Sequence, residues 1–151
     1  MKKTITTCLV IVLSILALSS CSTDKSMIAR GVDLKKYELA SIVQTKNAAE
    51  SLNDIEIEPG IYEAIENTRL RMVGERRVNE LTQDEKEKLV LVKYAATSNP
   101  TESTISVTFE DFMTGKTVAS CRSSHHSAFT RERDVKRTIR KVAGRIKKIW
   151  Q

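Results

Sequence analysis

The stretch TISVTFEDFMTGKTVASCRS, residues 104–123, constrains the fold more than any other part of the chain. Apolar and polar residues alternate through 104–112, with Ile105, Val107 and Phe109 on one face and Thr104, Ser106 and Thr108 on the other. A period of two belongs to a half-buried strand. Met113-Thr114-Gly115-Lys116 supplies a turn, and residues 117–123 read as the return strand. On that strand Thr117, Ala119 and Cys121 share one side, and Val118 and Ser120 the other. A hairpin with one greasy face needs a cover, so the rest of the chain must supply further strands and helices.

Two upstream segments extend the sheet. Residues 37–43, YELASIV, are rich in β formers and read as a first strand. Residues 89–96, LVLVKYAA, form a nearly continuous apolar run of strand length, which suits a central strand; Ser98-Asn99-Pro100-Thr101 breaks it. Between them, residues 47–54 read as a loop and Pro59-Gly60 precedes a helix over 61–73. Its acids, Glu63 and Glu66, come early and Arg69 and Arg71 late, as the helix dipole favours, with Gly74 as terminator. Residues 75–81 fit a short edge strand or an extension of that helix, and 82–88, TQDEKEK, a solvated charge run. From Thr130 a long helix begins, its seam formed by Val135, Ile139, Val142, Ile146 and Ile149. The order β-α-β-β-β-α predicts an α+β fold: a mostly antiparallel sheet of four strands, give or take one, with two helices packed on one face.

The hairpin, its loop and the terminal amphipathic helix together resemble the C-terminal half of a class of small bacterial outer-membrane lipoproteins with accessory or unassigned roles. Related folds occur in the amino-terminal domain of TolB, in CsgG and in the penicillin-binding-protein activator lipoproteins. Asp111, Thr114 and Gly115 match the turn of that class, while the tryptophan usual on its return strand is replaced by Ala119 or Ser120. The resemblance implies a single domain over residues 37–151 with an accessory function in the cell envelope.

The first twenty residues read as a targeting segment. Lys2 and Lys3 give a positive start, residues 8–18 an apolar run too short to span a bilayer, and Ser19-Ser20 small residues for cleavage. Leu18-Ser19-Ser20-Cys21 resembles the bacterial lipobox, which implies acylation of Cys21 and cleavage before it. One acyl chain binds a membrane only marginally, but each further buried CH₂ adds about 0.8 kcal/mol, so three chains anchor permanently. Ser22, where an aspartate would retain the protein in the inner membrane, implies a periplasm-facing anchor in the outer membrane of a Gram-negative bacterium. Residues 21–36 then read as an acylated tether.

Loss of the leader takes the 25 basic residues to 23 against 19 acidic ones, a net charge of +4. It also removes Cys8, and acylation would consume Cys21, leaving Cys121 alone as a buried small hydrophobe. Neither a phosphate-binding glycine loop nor a paired CxxC or HExxH motif occurs. Cys121, His125 and His126 form C-x₃-H-H, the basis of an alternative reading as a small hydrolase or metal-binding protein. Adjacent histidines on extended chain point in opposite directions, which weighs against it. No cofactor beyond the lipid on Cys21 is expected.

Charge is segregated. Residues 131–148 carry nine basic residues against Glu132 and Asp134, a net +7, so the remainder of the mature chain is net acidic. Arg133, Arg137, Arg140, Lys141, Arg145 and Lys148 are the candidate interaction face. It suits anionic headgroups or an acidic protein of an envelope complex; an exported lipoprotein does not meet nucleic acid. Oligomeric state is open. The reading is a membrane-anchored accessory, assembly or binding factor without enzymatic activity.

Overall fold

The computed structural model describes residues 24–43, 57–98, 101–126 and 131–151. The leader, Cys21, the loop expected at 47–54 and Thr130 lie outside the described residues. Six strands are present among the described residues: β1 (Lys25–Ile28), β2 (Leu39–Ile42), β3 (Arg71–Met72), β4 (Leu89–Ser98), β5 (Glu102–Asp111) and β6 (Thr117–His126). Three α-helices accompany them, α1 (Ile57–Glu66), α2 (Gln83–Glu87) and α3 (Arg131–Ile149), with 3₁₀ turns at Leu34–Lys36 and Glu75–Glu80.

The sheet order is β1-β6-β5-β4-β2-β3. The antiparallel block β1-β6-β5-β4 agrees with the expectation of a mostly antiparallel sheet, but β2 runs parallel to both β4 and β3. The sheet is therefore mixed and, among the described residues, has six strands, beyond the expected four give or take one. Parallel neighbours need crossovers. One passes through α1 on one face, the other through the 3₁₀ turn and α2.

Several elements depart from the sequence reading for identifiable reasons. Residues 25–28, assigned to a tether, form β1, because β6 presents an open edge for residues Arg122 to Ala119 to pair. The helix expected at 61–73 is α1, four residues earlier; Pro59 sits in its first turn, where a missing N–H costs nothing. Residues 71–72 then hydrogen-bond alongside β2 instead of continuing it. Residues 82–88 contain a helix capped by a reciprocal Thr82–Glu85 box. On β6, a bulge opposite Phe109 and Glu110 reverses the alternation, so Val118 and Ala119 are both buried and Thr117 pairs with Glu110.

The main core lies between one face of the sheet and the pair α1 and α3. Val90, Val92, Ile105, Val107 and Phe109 meet Ile57, Ile61, Ile65, Val142 and Ile146 there. The two helices approach closely because position 60 is glycine: a Cβ there would lie 2.6 Å from Ile139 Cγ2. On the opposite face, at the β2–β4 end, Leu39, Leu89 and Val78 form a smaller cluster. The rest of that face is polar, with Lys93 and Glu110 paired at 2.6 Å.

Trp150, just past α3, is fully buried. Its ring meets Phe109 edge-on at 5.1 Å and Tyr37 at 6.1 Å, and the Arg69 guanidinium lies 5.6 Å from it. It is thus a core contact of the helix end. Arg69 also donates to the carbonyls of Tyr37 and Leu34, tying the chain after α1 to the segment before β2. Trp150→Ala is expected to cost about 3–5 kcal/mol of stability, seen as a lower urea midpoint with an unchanged slope.

Candidate functional site

The turn after β5 is organised by Asp111. Its Oδ1 accepts from the backbone N–H of Thr114 at 2.8 Å and the Thr114 hydroxyl at 2.9 Å. Its Oδ2 accepts from Lys36 Nζ and the Tyr37 hydroxyl, both at 2.8 Å. Gly115, at φ +66°, closes the turn in the left-handed region where a side chain would strain it. Burial alone would raise the Asp111 pKa, but the hydrogen bonds from Lys36, Tyr37 and Thr114 outweigh it and hold the carboxyl well below the usual range. With every oxygen occupied, Asp111 has no lone pair aimed at a ligand; it is a structural clamp.

The structure separates the members of the Cys-His-His motif. His125 and His126 belong to β6, because β5 extends to Glu102 and pairs with them. Cys121 and His125 share one face four residues apart, roughly 13 Å along a strand. His126 faces the other way, with its Nε2 3.4 Å from a Glu102 carboxylate oxygen. Burial pushes the Cys121 thiol up to about 12, so it carries no thiolate near neutral pH. Among the described residues, no three His, Cys, Asp or Glu side chains are grouped to hold a metal ion.

Beside β3, a shallow cavity of about 230 Å³ is lined by Arg71, Arg77, Glu80 and Glu85 together with apolar residues. Its two cations face two carboxylates, so it presents no net field of either sign.

The charged surface of α3 has more structure. Its seam, Val135, Thr138, Val142, Ile146 and Ile149, is buried. At 100° per residue, Arg137, Lys141, Arg145 and Lys148 fall on one flank of that seam, while Arg133, Arg140 and Lys147 lie on the outer side or towards the other flank. Contacts fix where the first flank sits. An Arg137 nitrogen is 3.3 Å from His125 Nε2, Lys141 Nζ donates to the Ser124 carbonyl at 3.1 Å, and Arg145 pairs with Asp24 at 3.6 Å. The flank therefore follows the β6 and β1 border of the sheet. His125 is half-buried against it, 3.7 Å from Asp134. Burial, followed by the Lys141 charge, lowers the His125 pKa despite Asp134.

The six candidate residues named from the sequence thus divide into four along the sheet border and two, Arg133 and Arg140, facing away. The charges are visible in the sequence; their division depends on which way α3 lies across the sheet. Asp24 and the β1 strand were missed, since a four-residue exposed strand carries no periodic signal. Among the described residues, no helix is long and apolar enough to cross a membrane.

No family model matches the chain, and no curated protein does. Among solved structures it is similar to PelC from Paraburkholderia phytofirmans. A single-substitution variant of the PelC dodecamer, in space group C2, shares 11% identity with a TM-score of 0.55, covering 83% of this chain and 98% of that one. The PelC dodecamer in space group P6 shares 10% identity with a TM-score of 0.53 and the same coverage. At such identity the likeness is one of fold.

Two predictions follow from these contacts. Asp111→Asn is expected to cost about 2–4 kcal/mol at neutral pH. Because the folded-state pKa is depressed, that stabilisation is present above the ordinary aspartate range and fades as pH falls below it. Urea unfolding at neutral and acid pH should show the wild type and variant converging. His125 has the opposite partner balance: the fold disfavours its protonated form, so stability declines as pH falls below about 6.5. His125→Gln should flatten the fall in Tm over that range.

Proposed function

We propose that the protein is a lipid-anchored envelope protein, held by acylated Cys21 on the periplasmic face of the outer membrane. There it serves as a binding or assembly subunit of an envelope complex and performs no catalysis. The observation that carries this reading is Leu18-Ser19-Ser20-Cys21 behind a basic and apolar leader. Ser22 supports the outer membrane as the destination.

The fold supports a binding rather than a catalytic role. The potential nucleophile Cys121 is buried and protonated, and the two histidines are engaged on opposite faces of β6. Assembly in several copies is supported by the likeness to PelC, which is seen as a dodecamer. It is also supported by the sheet's unlike ends: β1, with Met27 and Ile28 each more than half exposed, and the two-residue β3. An interface joining unlike surfaces gives rings when its rotation closes.

Cys21→Ser is expected to empty the outer-membrane fraction and to remove the lipid mass; the leader, whose cleavage before residue 21 needs the acylated thiol, then stays on the chain. Retention of the variant in the outer-membrane fraction would overturn the anchor. Light scattering of the purified acylated chain should give a mass several times that of one copy.

A further inference from the structure

The chain order puts the basic flank of α3 beside the anchor. Asp24, the first described residue, is paired with Arg145 at 3.6 Å, and only Ser22 and Thr23 separate it from Cys21. Three residue steps reach roughly 10 Å even when fully extended. An acylated Cys21 therefore cannot be far from Arg145. Since β1 is built into the sheet, no slack remains to lift this border of the domain away from the membrane.

We propose that the flank of α3 carrying Arg137, Lys141, Arg145 and Lys148 lies on the membrane surface and binds anionic phospholipid headgroups. This rests on the anchor reading above. The four residues are spaced four, four and three apart, so they form a row along the β6–β1 border rather than a scattered charge. Asp24 and Asp134 offset only half of the row. The segregation of charge gives a direction as well. With α3 at +7 and the rest of the mature chain net acidic, an anionic surface attracts this side and repels the other.

The chemistry of the row suits phosphodiesters. Guanidinium groups at positions 137 and 145 can engage phosphate oxygens in pairs, while Lys141 and Lys148 supply point charges between and beyond them. Lys147 and Arg140 give an internal control, because they carry the same charge on the same helix but lie off the row.

The test uses the mature Cys21→Ser chain, so that no acyl chain contributes, sedimented with phosphatidylcholine vesicles containing or lacking phosphatidylglycerol. Binding is expected only to the anionic vesicles and should weaken as salt is raised. Lys141→Gln with Lys148→Gln should weaken it by at least about tenfold, given two basic contacts near the surface. Arg140→Gln with Lys147→Gln, an equal change in net charge, should have little effect. Lys148→Glu alone, at an exposed residue, keeps the test valid if the Lys141 change perturbs folding. Equal binding to both vesicle types would overturn the proposal and leave the flank to an acidic protein. Equal loss from the two double variants would overturn the assignment to this flank. Failure of the anchor reading shows instead in the fractionation of Cys21→Ser in cells, which this measurement does not touch.

Discussion

The Asp111 carboxylate and the Trp150 ring meet through one residue, Tyr37, and the organisation of the domain depends on that link. The Tyr37 hydroxyl donates to Asp111 Oδ2, while its ring packs edge-on against Trp150. Asp111 closes the β5–β6 turn, and Trp150 seats the end of α3 on Phe109 near the end of β5. Tyr37 leads into β2, the strand that changes the sheet from antiparallel to parallel. The polar clamp and the aromatic cluster thereby both hold the lead-in of β2 to β5, and the cluster adds the end of α3. The buried carboxylate is held by donors on both oxygens, which is the condition under which a buried charge helps a fold instead of weakening it.

How much of this could be read from the sequence depended on burial. Ile105, Val107 and Phe109 announce β5 because one face of it is core, and Val135, Ile139, Val142 and Ile146 announce α3 for the same reason. β1 makes no such announcement: its four residues are all exposed, and it is a strand only because β6 leaves an edge to pair with. β3 likewise exists through hydrogen bonds to β2 alone. The bulge at Val118 could not be inferred from alternation, since it is the point at which alternation fails. Direction of pairing was equally hidden, because an apolar run such as Leu89 to Ala96 serves a parallel or an antiparallel neighbour. The Thr82–Glu85 box was a local signal in plain view, masked by the charge run around it.

Charge on α3 follows the same division between composition and placement. The nine basic residues are countable from the chain, but the angle at which α3 crosses the sheet decides that Lys141 and Arg145 reach Ser124 and Asp24. A likeness to PelC at about one residue in nine shows how little of the side-chain detail this fold demands. What it does demand is the pattern of burial, so the surface of α3 can be written separately from the core it covers.

Trp150 has one more consequence. Its aromatic partners are Tyr37 and Phe109, and β1 pairs with residues 119–122 of β6. β1 therefore waits for β6, and Tyr37 for Trp150, until the late half has been synthesised. Contacts between residues so distant in sequence are slow to form, because the intervening loop must be closed before they reward it. A nascent chain stopped short of Trp150 holds a sheet with an open central cluster.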